Sequence, residues 1–188
     1  MELRAVDNET FKHSMRRFAA SVCVVTTGGG NPSGMTATSV CSLSVDPAAI
    51  LVALNNKAKT AEAIIANGSF ALNVLSSDQV CLAKLFSSDS LRLSKTAYLS
   101  RKTIIGVNGD PLIRGACAII ECSVDDIVAR GSHSIFVGRV VSTSAQDNDP
   151  LVYHNGSYGS FSEATLTSVA QIRTPGLPYD AGVAAIKV

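Results

Sequence analysis

Apolar and polar residues alternate in short runs along most of this chain, and only a few stretches keep the 3.6-residue spacing of a helix. Phe11, Met15, Phe18 and Ala19 recur at near-helical intervals with Lys12, Arg16 and Arg17 between them, which predicts an amphipathic first helix. SVCVVTT, residues 21–27, is rich in β-branched residues and predicts a strand, and GGGNPSG supplies a flexible reversal after it. Residues 35–45 predict a strand with a bulge or bend. Ala37, Ser39, Cys41, Leu43 and Val45 line one face of it, and Thr36, Thr38, Ser42 and Ser44 mostly line the other. Beyond the Asp46-Pro47 turn, AILVALN is apolar at nearly every position, as in a fully buried strand or a barrel stave.

KTAEAIIANG predicts a helix that stops at Asn67-Gly68, and SFALNVL returns to strand. SSDQVCLAKLF predicts a second helix, with Ser77 or Asp78 as its cap and Val80, Leu82, Ala83 and Phe86 facing inward. Residues 87–115 are less legible, apart from a turn at NGDPL. From 116 to 128 the alternation is cleanest: Ala118, Ile120, Cys122 and Val124 point one way, and Glu121, Ser123 and Asp125 the other. SHSIFVGRVV follows at hairpin distance, which predicts an antiparallel pair, and PLVYHNGSYGSF predicts a last short strand. Strands mostly follow strands, without the regular crossovers of a parallel sheet. The predicted class is therefore mainly β, a small closed or partly split antiparallel barrel with a few peripheral helices. Residues 165–188, apolar but punctuated by Gly and Pro, predict a tail or arm outside a 1–164 domain.

Composition narrows this further. With 188 residues and 46% hydrophobic content, the chain can bury one substantial core. Sixteen basic and 15 acidic residues leave a net charge of +1, so no global charge attracts nucleic acid or an anionic membrane. No run of 18 apolar residues predicts a membrane span, and the N-terminus lacks the apolar region of a secretory signal; a cytoplasmic location is expected. The five cysteines, at 23, 41, 81, 117 and 122, form no CxxC pair and are expected to be reduced, packed thiols. Asn67-Gly68-Ser69 and Asn155-Gly156-Ser157 read as turns.

Several chemistries find no motif. The histidines at 13, 133 and 154 are scattered, without HExxH or paired cysteines, so no metal site is expected. The glycines near residue 30 are not followed by Gly-Lys-Ser/Thr, no GxGxxG opens a helix after a strand, and no GxSxG elbow occurs. What remains is a site of backbone amides, hydroxyls and a few cations. Asn55, Lys57, Lys59 and Thr60 close a buried strand and open a helix, where free amides, a lysine and a hydroxyl make a phosphate seat. GMTATSVCSLSVDP, residues 34–47, has five hydroxyl side chains and scarcely a charge, which suits a ligand polar and uncharged in its middle, with a phosphate at one end and a flat heteroaromatic at the other. His133, in RGSHSIFVGRV, is a further candidate for hydrogen bonding to substrate or cofactor.

MRRFAASVCVVTT, GMTATSVCSLSVDP, GSFALNVLSSDQVCLAKLF, GSHSIFVGRVV and PLVYHNGSYGSF occur in one order along residues 11–162. Together they resemble the flavin reductase-like family, the short-chain NAD(P)H:flavin oxidoreductases that serve two-component monooxygenases. The resemblance implies an FMN-binding split β-barrel, normally a homodimer, that binds FMN or FAD and takes a hydride from NADH or NADPH. It implies that Met35, Thr36, Ala37, Thr38 and Ser39 run along the isoalloxazine and ribityl chain. Ser44 and Asn55 would contact the ribityl–phosphate side, and Lys59 with Thr60 the phosphate. Phe86 and Arg92 would close the cofactor region, His133 would lie near flavin and nicotinamide, and Tyr153 and Tyr158 would border the pocket. Two features depart from the family pattern: Asp46-Pro47-Ala48 replaces the usual Pro-Pro, and the tail beyond 162 is longer than the minimal domain needs.

The activity so implied is reduction of free flavin, which then diffuses to a separate oxygenase, with His133 positioning the nicotinamide. Two other readings stand beside it. One is an oxidoreductase that retains FMN and reduces another acceptor, such as a quinone or a corrinoid metal centre. The other is a non-catalytic flavin-binding dimeric module.

Overall fold

All five residues of one early strand, Cys23–Thr27, are buried, because this strand has a packed cluster on each of its faces. Cys23 and Val25 point into one cluster, with Val52, Leu54, Ile64, Phe70, Leu72, Cys122 and Phe136. Val22, just before the strand, and Val24 point into the other, with Leu75, Ala83, Phe86, Leu99, Ile113 and Leu151. Thr26 and Thr27 are buried too, and their hydroxyls donate to the carbonyls of Pro111 and Ser69. The doubly covered β-branched run in the sequence thus marks the layer shared by the two clusters.

The computed structural model describes residues 5–30 and 32–163. In chain order the elements are α1 (Asn8–Met15), β1 (Ala20–Ser21), β2 (Cys23–Thr27), β3 (Ser33–Ala37), β4 (Val40–Val45), β5 (Ala48–Asn55), α2 (Lys59–Asn67), β6 (Ser69–Val74) and α3 (Val80–Ser87). A 3-10 turn at Asp89–Leu91 leads into α4 (Arg92–Lys102), β7 (Thr103–Ile105), β8 (Pro111–Ile113), β9 (Ala118–Arg130), β10 (His133–Ala145), β11 (Leu151–His154) and β12 (Ser157–Ser160). Seven strands form one antiparallel sheet in the order β3-β2-β6-β9-β10-β5-β4. Its two outermost strands are consecutive in the chain, separated only by Thr38 and Ser39, and the amide of Ala53 donates to the Ser39 carbonyl at 2.9 Å. One bent strand therefore serves both ends of the sheet and closes it into a mainly β barrel. The predicted bend falls at Thr38–Ser39, and a register shift follows between Ser42 and Ser44.

α2 forms as the sequence predicts. Ala61 and Ile64 face the core, and Gly68 ends the helix at φ 70°, a left-handed turn that glycine adopts without a Cβ penalty. β9 and β10 pair along their lengths through the Gly131–Ser132 turn. Other expectations are corrected. The first helix ends at Met15, short of Phe18 and Ala19, and none of its residues is buried. Gln79 rather than Ser77 or Asp78 stands at the cap position of α3, with no side-chain capping bond; the Asp78 carboxylate accepts from the Ser76 hydroxyl, and the Gln79 side chain accepts from the Ser76 amide and donates to the Arg114 carbonyl. AILVALN alternates after all, with Ile50, Val52 and Leu54 buried and the residues between them half-buried.

On β4, Cys41, Leu43 and Val45 are exposed rather than packed. Glu121, expected on a polar face, is buried and accepts from the Val107 amide at 2.6 Å. The final stretch is two strands, not one: β11 and β12 form a hairpin at Asn155-Gly156, and β11 also pairs with β1. The illegible 87–115 region holds α4 and the β7–β8 pair. Cys23, Cys117 and Cys122 are buried, whereas Cys41 and Cys81 are exposed, which corrects the expectation of packing for those two. Burial pushes the Cys23 and Cys122 thiols up to about 12. The proposed tail, 165–188, lies outside the described residues. No helix among the described residues is long and apolar enough to cross a membrane.

Candidate functional site

A cavity of about 960 Å³ lies over β3, between α2 on one side and the end of α3 with α4 on the other. α2 lines it with Lys59, Glu62, Ala63, Ala66 and Asn67, positions about three or four residues apart on one helix face. At 1.5 Å per residue that face runs for about 12 Å. The floor comes from Ser33, Gly34, Met35 and Thr36 of β3. Thr36 donates its hydroxyl to the Ala83 carbonyl at 2.8 Å, which ties the floor to α3. A Cβ on Gly34 would meet the Phe86 ring at 3.0 Å, so only glycine lets the strand lie this close to Phe86.

The N-terminus of α2 is left open toward the cavity. Ala58 occupies the cap position and has no oxygen to offer, in contrast to α1, whose cap Asp7 accepts from the Glu9 and Thr10 amides. Ala61 and Glu62 donate to the Ala58 carbonyl, which leaves the Lys59 and Thr60 amides without an acceptor among the described residues. Beside them the Thr60 and Ser33 hydroxyls meet at 2.9 Å. Lys57, Lys59, Arg92 and Lys95 line the same cavity, against the carboxylates of Glu62 and Asp89. Among the described residues the one ion pair within 4 Å is Lys12–Glu9, far from here in sequence, so none of these four cations is paired. Burial lowers the Lys95 ammonium from its ordinary value, with Asp89 acting in the opposite direction. An uncapped helix start, two hydroxyls and unpaired cations suit a phosphate, while Met35, Phe86, Ala63 and Ala66 suit a flat ring. These residues fit a flavin mononucleotide unit. No group of three metal-ligating side chains occurs among the described residues.

Of the residues singled out from the sequence, Met35, Thr36, Asn55, Lys59, Thr60, Phe86 and Arg92 line this cavity. Ala37 is buried in the barrel core. Thr38 edges a second, smaller cavity of about 420 Å³, ringed by Cys23, Val40, Ile50 and Leu72. Ser39 is exposed at the bend, and Ser44 sits opposite Ala49 on β4. Tyr153 and Tyr158 lie against each other in the final hairpin, ring centres 5.3 Å apart. His133 is exposed at the start of β10, directly opposite Asn55. Opposed residues of antiparallel strands share a face, so His133 stands at the rim beside a cavity residue. Ser33, Lys95 and Thr96 were not singled out from the sequence. Arg92, Lys95 and Thr96 share a helix face, but that spacing carries information only once 92–102 is known to be helical.

Residues 15–162 match the family described as Flavin reductase like domain. The chain is 35% identical over 151 residues to the NADH-dependent FMN reductase AsuE2 of Streptomyces nodosus subsp. asukaensis, covering 79% of this chain and 82% of that one. It is 34% identical over 167 residues to the reductase component of an FADH(2)-dependent resorcinol hydroxylase of Rhizobium sp. (strain MTP-10005), covering 85% and 90%. Among solved structures, BorF, the flavin reductase component of a bacterial two-component tryptophan halogenase, superposes with a TM-score of 0.79 at 36% identity, over 84% of this chain and all of that one. With its barrel closed by a bent strand and its cation-lined cavity, the chain belongs to the flavin reductase like domain family.

Proposed function

We propose that the cavity over β3 is where this protein, an NAD(P)H-dependent flavin reductase, holds FMN or FAD, and that reduced flavin leaves it for a separate flavin-dependent oxygenase. The observation that carries this placement is the set of four cations, unpaired among the described residues, around an uncapped helix start, beside Met35 and Phe86. Bound flavin supplies the acceptor for a hydride from nicotinamide. Lys59 and the free amides of Lys59 and Thr60 take the phosphate; Met35 and Phe86 pack against the ring; Arg92 and Lys95 hold the far side. His133, at the rim beside Asn55, positions the nicotinamide by hydrogen bonding and transfers no proton. Ala37 lies in the barrel core and Thr38, Ser39, Ser44, Tyr153 and Tyr158 lie outside the cavity, so the proposed place of these last five is the border reached by a bound nicotinamide or by a second subunit.

A homodimer accords with the apolar side chains that the single chain leaves uncovered. Val45 is 89% exposed and Phe18 67%, and Leu43 and Phe11 are also exposed. The two-component relatives favour a diffusible product over a retained flavin: the resorcinol hydroxylase and halogenase reductases are each a component separate from the oxygenase or halogenase they serve.

Anaerobic stopped-flow absorbance with NADH and NADPH, across added FMN and FAD, tests the reading. Many turnovers of free flavin, bleaching its oxidised absorbance band, are expected. Reduction of a single protein-held equivalent points instead to another acceptor, and binding without bleaching to a non-catalytic module.

A further inference from the structure

His133 is paired with Asn55 and Arg130 in the ladders on either side of β10, and one side chain in the loop after β5 holds the residues flanking it. Asn56 follows β5, and its amide donates to the Ser132 carbonyl at 3.0 Å, extending the β5–β10 ladder by one step. Its side chain then uses both ends. Nδ2 donates to the Gly131 carbonyl at 3.1 Å, and Oδ1 accepts from the Ser134 hydroxyl at 2.8 Å. Asn56 therefore holds residues 131, 132 and 134, on both sides of His133, and leaves His133 itself free. The ring is in turn 2.9 Å from the Ser132 hydroxyl through Nδ1, so a turn fixed at Ser132 also orients the imidazole.

The other side of Asn56 is the phosphate seat. Asn55 accepts from the Lys57 amide through Oδ1 and from the Ala58 amide through its carbonyl, and α2 starts at the next residue. One residue thus joins the β9–β10 turn to the loop that feeds the open helix start. We infer that Asn56 is a positioning residue for nicotinamide, which sets where His133 stands relative to flavin held at Lys59 and Thr60. This rests on the reading of His133 given above. The side-chain type follows from the bonds: aspartate lacks the donor for Gly131, alanine lacks both groups, and glutamine is one methylene too long for the same two partners.

The test is a double-mutant cycle on the full chain: Asn56→Ala, His133→Ala and the pair, with Asn56→Asp and Ser134→Ala as milder cuts. Three quantities are read for each: the dissociation constant of FMN by fluorescence quenching, the anaerobic single-turnover dependence on NADH and on NADPH, and the melting temperature. Each single alanine variant is expected to weaken nicotinamide saturation about fivefold, the size of one or two ordinary hydrogen bonds. The pair is expected to be no worse than His133→Ala alone, FMN affinity to stay within about twofold, and Asn56→Asp and Ser134→Ala to fall between. Effects that multiply in the pair overturn the inference and leave the His133 reading standing. So does a loss of FMN affinity matching the loss for nicotinamide, because Asn56 then serves the phosphate loop. A His133→Ala enzyme with unchanged nicotinamide dependence overturns the His133 reading, and the inference with it. Should Asn56→Ala not fold, Ser134→Ala against His133→Ala completes the same cycle.

Discussion

β3 and β4 are two halves of one bent strand built from much the same residues, yet they meet opposite fates. The sequence from Ser33 to Val45 is small and hydroxyl-rich throughout. Before the bend, Ser33 and Thr36 have their hydroxyls committed to Thr60 and to the Ala83 carbonyl, and Met35 and Gly34 floor a cavity roofed by three helices. After it, Leu43 and Val45 are exposed, and among the described residues the strand paired with β4 is β5. The difference teaches that a hydroxyl-rich strand is not in itself a ligand site. The half with helices over it floors the cavity proposed for flavin, because those helices bring the cations and the open helix start.

The contrast can be broken hardest at Phe86, which is buried, lies against Gly34 and meets Tyr98 edge-on at 5.8 Å. Phe86→Ala is expected to cost about 3–5 kcal/mol in urea unfolding, the range for an aromatic removed from a core. It is expected to loosen the floor of the cavity as well. Lys59→Ala comes next. Loss of a charge-assisted contact is worth about 1.5–3 kcal/mol, so FMN affinity should fall roughly tenfold to hundredfold in a fluorescence titration, with stability little changed. Unchanged affinity would move the phosphate away from α2.

A smaller, pH-dependent effect belongs to Asp110, which anchors the start of the β2–β3 loop by accepting from the Gly28 amide at 2.7 Å. Burial pushes its carboxyl up from the ordinary 3.8; the Gly28 and Ser69 hydrogen bonds act against this, and the nearby Glu121 adds to it. The folded protein then keeps a proton that the unfolded chain releases. Stability falls as pH rises from the ordinary value toward the raised one, and the loss persists at neutral pH. Among the described residues the second oxygen of Asp110 has no hydrogen-bond partner. In Asp110→Asn the fall between acidic and neutral pH, followed by urea unfolding, should shrink. The least change in folding is expected on the bare half. Leu43→Asp with Val45→Asp should alter monomer stability by about 0.5 kcal/mol or less, as exposed positions do. If β4 contributes to a homodimer contact, sedimentation should show the pair shifted to monomer; an unchanged dimer places that contact elsewhere.

Much of the barrel is legible in the residues because strand pairing leaves a local mark. The β-branched run at 21–27, the alternation from 118 onward and the Asn67-Gly68 stop each rest on near neighbours, and each element stands close to where they put it. Glu121 breaks the pattern because its carboxylate is held by the amide of Val107, 14 residues earlier, which no alternation reveals. The site divides in the same way. Asn55, Lys59 and Thr60 announce themselves as a strand end followed by a helix start. Lys95 does not, because 92–102 has little apolar periodicity, and its face is fixed by Leu99 packing into the second cluster.

By itself the sequence determined most elements outside 87–115: which runs extend, where α2 begins, and where Gly68 ends it. It did so because backbone propensity, side-chain period and capping are set within a few residues. Tertiary structure alone decided that the two ends of one sheet are a single bent strand. It also decided that only one half of that strand lies under helices, and that Asn56 grips both sides of His133. Those are meetings between residues up to some 80 positions apart, and their geometry exists only once the barrel has closed.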